Sequence, residues 1–218
     1  PPPPPPTPDW GRQLPDKVKG GDPMAAFVQW GEAMAALTDP IDDDDLTRTI
    51  WNRIVESAEQ ANEPGVFTAS HGFEWTSLPD GNNLHRVVMF RDDAGKVEDL
   101  VPFSNYDSSD PEDLWAWMQA YEEKTGGQVL AIPHHGTLSN GLMFDDVRIN
   151  GEPIDVDYAE RRMRWEPLYE VTQTKGDGET HPMLSPNDEF ADYYRWDKGN
   201  FGFEVKKPDM LPKEYARQ

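Results

Sequence analysis

The chain has 218 residues, enough for one large domain. Its 41 acidic residues against 20 basic ones give a formal net charge of −21, which argues against binding a nucleic-acid backbone or docking on an anionic membrane. Cysteine is absent, so disulfides, thiolate metal sites and a cysteine nucleophile are excluded. Any metal must then sit on His, Asp and Glu, a donor set that suits Zn, Mn, Fe or Mg. Mean hydropathy is −0.79, yet 8 Trp, 9 Phe and 7 Tyr are too many for a disordered chain. A real core with long polar connections is expected. No apolar run of 18 residues is present to span a membrane, and no basic-then-apolar signal peptide opens the chain.

Six prolines open the chain, and residues 1–21 read as a Pro-rich disordered or artefactual segment, with 7–21 as a loop. Residues 22–218 read as one domain. Asp22-Pro23 is an N-cap followed by a first-turn proline, starting a helix to about Leu37 with Met24, Phe27, Val28, Ala35 and Leu37 on its apolar face. Asp42 to Asp45 start a second helix, with Leu46, Ile50, Trp51, Ile54, Val55 and Ala58 at helical spacing; Asn62 and Pro64-Gly65 stop it. Val66 to Thr76 reads as a buried strand and Leu84 to Arg91 as a second. Asp80-Gly81 is a turn, and Asp92 to Gly95 a hairpin-type turn. Asp110-Pro111 opens the clearest helix, with Leu114, Trp117, Met118 and Tyr121 on one face and Gly126-Gly127 closing it. A strand Val129 to Ile132, a helix Asp157 to Trp165 and a strand Leu168 to Thr172 follow. A short aromatic helix is expected near Asp188 to Trp196. The alternation after Asp110 points to α/β layering, with sites beyond the carboxyl ends of strands.

All five histidines, His71, His85, His134, His135 and His181, fall in or beside predicted strands or in the following loops. Glu74 stands between Phe73 and Trp75 in a strand expected to be buried. An unpaired carboxylate there costs on the order of several kcal/mol, so it needs a metal or an ion pair with Arg86 or Arg91, and the residues favour neither. Ile132-Pro133-His134-His135 ends a strand with two imidazoles. Neighbours in a strand point to opposite sides, so one ligand is expected there, His134, with His135 as its support or as a substrate contact. Glu170, Lys175, Glu179 and His181 lie in or beside a Gly-rich stretch. Lys175 could meet a substrate anion, whereas Asp177 reads as plain loop surface. No phosphate-cradling loop, nucleophile elbow or helical His-Glu-x-x-His is present.

Four segments carry a resemblance: FEWTSLPDGNNLHRVVMFRD (73–92), PFSNYDSSDPEDLWAWM (102–118), VLAIPHHGTLSNGLMF (129–144) and EPLYEVTQTKGDGETHPMLSPNDEFADYY (166–194). They resemble a large bacterial family known as a domain of unknown function. That family is similar to the polymerase-and-histidinol-phosphatase (PHP) type of metal-dependent phosphoesterase. The match runs from about Asp22 to Trp196. It implies a partial or distorted (β/α)7 barrel with long loops and two or three divalent metals (Mn, Zn or Fe). By resemblance Glu74 and His134 are metal ligands, while His85, Glu179 and His181 are ligands or substrate contacts. Glu170 lies in a strand like the one carrying Glu-x-x-Gln. The family usually reads Pro-His-Asn-Gly where this chain has His135, so His135 is a departure. The opening His-x-His, the Asp-His pair and the late Asp-x-His of PHP chains are missing. The chain is therefore expected to be the central part of a larger protein whose remainder completes the site, with export to the periplasm or beyond suggested by relatives.

The resulting expectation is hydrolysis of a small anionic ester, a phosphoester by analogy, through metal-activated water. Glu74, His134, His85, His181 and Glu179 would hold metal; Lys175 and Arg86 would stabilise the leaving anion, with His135 beside them. The alternatives are a non-catalytic PHP-like scaffold lacking a complete metal site and an acidic surface protein with no site.

Overall fold

The computed structural model describes residues 9–217; the proline run lies outside the described residues. Helix α1 (Asp9–Lys19) occupies most of the segment expected to be a loop. Trp10, Leu14 and Val18 recur every fourth residue along it, a helical stripe that Pro15 masks in the sequence. Helix α2 (Pro23–Ala35) starts as expected, with the Asp22 carboxylate accepting from Ala25 N at 2.9 Å. It buries Ala26 and Met34, leaving Met24 and Val28 exposed. Helix α3 (Asp44–Ala61) is capped by Asp43, which accepts from Leu46 N, and buries Leu46, Trp51 and Val55. The expected strand after it shrinks to β1 (Gly72–Trp75), because Val66 and Phe67 turn out into solvent. β2 (Arg86–Phe90) follows, then a one-turn helix α4 (Ala94–Val97) where a hairpin turn was expected. Helix α5 (Pro111–Thr125) carries the Asp110 cap and ends on Gly126 at φ 63°. β3 (Val129–Pro133) and helix α6 (Val156–Trp165) complete the layer. Of the strand expected at 168–172, a single bond from Glu170 N to Pro133 O and the short β4 (Thr172–Gln173) remain. β4 pairs with β5 (Gly176–Asp177) around Lys175. Residues 188–196 form turns, with Phe190, Tyr193 and Tyr194 exposed.

The expected distorted (β/α)7 barrel is not what forms. The described residues make a mixed α/β layer with a three-stranded antiparallel sheet in the order β1-β2-β3, a separate β4-β5 pair and no closed barrel. The link from β1 to β2, residues 76–85, holds only a turn of 3-10 helix. So short a link reverses the chain, whereas a parallel pair needs a crossover of a dozen residues or more. Strand alternation sends Phe73, Trp75, Arg86, Val88, Phe90, Val129 and Ala131 to one face. That face packs with Trp51, Val55, Leu114, Trp115, Met118 and Trp165 into one aromatic core. Glu74, Val87, Met89 and Ile132 take the opposite, partly open face. Among the described residues no helix is long and apolar enough to cross a membrane.

Candidate metal centre

Glu74, His85 and His134 reach one place by simple alternation. His85 lies two residues before Val87 and His134 two after Ile132, both on the open-face parity, and His134 N donates to His85 O across the strands. Glu74, on β1, joins them from the same face. Its Oε1 lies 2.8 Å from His134 Nε2 and 3.1 Å from His85 Nδ1. The carboxylate is half-exposed, at 47%, so the sequence expectation of a buried acid is corrected. Neither arginine weighed for it is its partner. Arg91 Nη1 donates to Gln128, and Arg86 turns into the core to pair with Glu166.

His135 would point away if the strand continued. Instead its φ is 61°, in the left-handed region, and the chain turns into a 3-10 segment at Gly136–Leu138. This reversal of direction sets the His135 ring 4.5 Å, centroid to centroid, from that of His134. The expectation that only one of the pair faces the site is thereby overturned. His85, His134 and His135 are all buried, and each offers one ligand atom within 4.8 Å of the others.

The hydrogen-bond network fixes the state of His135. Asn83 Oδ1 accepts from His85 N at 2.9 Å, so its amide nitrogen faces His135 Nδ1 at 3.2 Å and must donate. Gln173 Nε2 donates to Glu170 at 2.6 Å, so its oxygen accepts from His135 Nε2. His135 is thus the neutral tautomer protonated on Nε2. Burial, then the charges of His134 and Lys175, pull its pKa down to about 3. Burial also lowers His85. Hydrogen bonds from His134 and then His85 hold Glu74 well below the usual carboxylate range. His85 stacks on Phe201 at 5.9 Å, and its Nε2 is buried with no partner. Lys175, half-buried in the β4-β5 turn, has no carboxylate partner among the described residues, and its charge bears on both His85 and His135. Gly176, at φ 115°, makes that turn. A Cβ there would stand 2.9 Å from the Trp196 Cβ.

Glu179 and His181 do not join the cluster. Glu179 pairs with Arg217 at 3.3 Å; His181 packs on Tyr215 at 5.4 Å and accepts from Met183 N. His71 bonds Glu59 at 2.8 Å beside a separate cavity of about 910 Å³. Asn83, Gln173 and Phe201 were not singled out by sequence reading. Asn83 lies in the polar turn before β2 and Gln173 closes the Glu-x-x-Gln stretch that begins at Glu170, each a weak signal, while Phe201 carried none.

The acid response of the fold follows from these shifts. An unfolded histidine titrates near 6.5, and folded His135 near 3. Between those values the unfolded chain holds a proton that the folded ring refuses. Stability is therefore full above pH 6.5 and drains as pH falls through that window. The lowered His85 acts in the same sense, and the lowered Glu74 adds to it below the ordinary carboxylate range. His135 alone accounts for up to roughly 2 kcal/mol at pH 5. Urea midpoints at pH 7 and pH 5 measure the loss. His135→Asn, which tolerates the left-handed backbone, should shrink it; equal midpoints at both pH values would refute the assignment.

Fold and site together define a mixed α/β protein with a histidine-rich centre able to hold a metal ion. A family model described as a protein of unknown function (DUF3604) matches residues 17–218. The chain belongs to that family. No curated protein and no solved structure matches it.

Proposed function

We propose that this chain is a metal-dependent hydrolase. Its centre, built on His85 and His134 with His135 and Glu74 beside them, takes Zn, Mn or Fe and acts on an anionic ester. A phosphoester is the substrate class suggested by the PHP resemblance alone. The observation that carries the reading is the convergence of three buried imidazoles, one presenting an unpartnered buried Nε2. Buried polar atoms that serve only structure are normally satisfied. The imidazole donors also fit a borderline divalent metal.

When bound, such a metal supplies a Lewis acid that makes water nucleophilic at neutral pH and offsets the charge developing on the ester. Glu74 accepts from His85 Nδ1, which leaves the Nε2 lone pair available as a ligand. Asn83 and Gln173 hold His135 neutral and fixed in orientation. Lys175 contributes positive charge for an anionic substrate.

A second reading, a PHP-like scaffold without catalysis, is favoured by one feature: Glu74 satisfies two imidazoles without a metal. Elemental mass spectrometry of the dialysed chain separates the two. Stoichiometric Zn, Mn or Fe, with p-nitrophenyl phosphate turnover lost to chelator and restored by metal, is the expected result. A chain that retains no metal at neutral pH leaves the scaffold reading standing.

A further inference from the structure

A cavity of about 340 Å³ opens beside the loop that runs from Leu142 to Gly151, with Arg86 in its wall. Arg86 and His85 are neighbours at the start of β2, and alternation sends their side chains to opposite faces, so this cavity is separate from the histidine centre. Leu84, Leu142 and Met143 give it apolar walls, and Arg86, Arg148 and Arg162 all border it. Three arginines around one small cavity stand out in a chain of net charge −21.

Their carboxylate partners are unevenly divided among them. Arg86 and Arg162 share one carboxylate, Glu166, at 2.9 and 3.2 Å, and Arg86 and Glu166 are almost wholly buried. The two guanidinium groups divide one carboxylate between them in a poorly solvated wall, and Arg162 also donates to Met143 O at 2.9 Å. Arg148 spends its terminal nitrogens on Glu112 and Asp155, at 3.4 and 2.6 Å, while its Nε is buried with no acceptor. A buried charged donor calls for one. Two acids also border the cavity. Asp145 shares Lys213 with Asp146, and Asp80 is exposed, where solvent screens it.

We propose that this cavity binds a small organic monoanion, its carboxylate meeting the arginines and its apolar body lying against Leu84, Leu142 and Met143. Arginine presents the planar donor fork that a carboxylate matches. The volume lies at the small end of the range for ligand pockets. The three guanidinium groups and the apolar walls favour a small carboxylic acid with a hydrocarbon body. The inference stands independently of hydrolysis at the histidines.

Benzoate titrated into the full, chelator-treated chain by calorimetry tests it, since removing metal removes the other place a carboxylate could bind. Benzamidine, of similar shape and opposite charge, is the control. Saturable one-to-one benzoate binding, with Kd of about 1 mM or tighter, is expected, with none for benzamidine. Arg148→Met should weaken it at least tenfold. Val147→Glu alters an exposed residue of the same wall and should weaken it comparably without disturbing the core. No saturable benzoate binding up to about 10 mM, equal binding of benzamidine, or undiminished affinity in either folded variant would overturn the proposal.

Discussion

Glu166→Ala is expected to lower the stability of the chain by about 3–5 kcal/mol, the penalty for stranding buried charges, and its melting temperature by on the order of 10 °C. Glu166 follows α6, and its side chain is almost wholly buried. One oxygen accepts from Arg86 Nε and Trp115 Nε1, both at 2.9 Å; the other accepts from Arg162 Nε at 3.2 Å. Burial alone would push the carboxyl pKa up. The two guanidinium charges more than offset that, and the pKa is lowered. Removing the acid leaves three donors without an acceptor, two of them charged. Pairing Glu166→Leu with Arg86→Met should recover much of the loss, because a buried ion pair replaced by apolar groups of similar volume is often close to neutral. Thermal unfolding followed by circular dichroism reads all three proteins. A melting temperature for Glu166→Ala within about 2 °C of the parent would mean that the pair does not hold the core. The same geometry takes the Arg86 guanidinium out of the candidate site: it stacks over Trp75 and donates to Leu84 O. Arg86→Met alone should therefore be felt in stability before it is felt in activity.

What could be read from the residues was mostly local chemistry. Asp22-Pro23, the acidic run before Leu46 and Asp110-Pro111 with Gly126 each announce a helix end through a side chain bonding its own backbone, and the helices begin or end there. The end of β3 at Pro133 was legible for the same kind of reason, since proline lacks the donor a ladder needs. Strand direction was not legible: it depends on contacts between distant segments, and a barrel carried over from a resemblance has no local signature to contradict it. Helix α1 was hidden by Pro15 and by a wet composition.

The site divides along the same line. Glu74, His85 and His134 follow from alternation once the strands are paired. His135 joins them through a single positive φ. Asparagine, the residue usual there in the resembling family, adopts that region readily, so the sequence held a hint that the strand rule does not extend past His134. Glu179 and His181 lie in a stretch without periodicity. Their partners, Arg217 and Tyr215, come from the far end of the chain, which no spacing argument reaches.

His85→Ala is expected to bring bound metal to the dialysis background, whereas Glu74→Gln should retain it with affinity weakened about 10–100-fold, the usual cost of losing a group that orients a ligand. The difference rests on where the lone pairs point. His85 has given one nitrogen to Glu74 and holds the other buried and free, so alanine removes a ligand outright. Glu74 places one oxygen between His85 Nδ1 and His134 Nε2, the position of a carboxylate that sets tautomers. Glutamine keeps an acceptor oxygen but loses the charge that strengthens both bonds. His181→Ala and Glu179→Gln should leave the metal content unchanged, because those side chains are engaged with Tyr215 and Arg217. Metal stoichiometry by elemental mass spectrometry, with competition against a chelator of known affinity, resolves the series. If Glu74→Gln loses metal as completely as His85→Ala does, Glu74 is itself a ligand and breaks its histidine bonds on binding. If His85→Ala keeps its metal, the three-histidine centre is not where the metal sits.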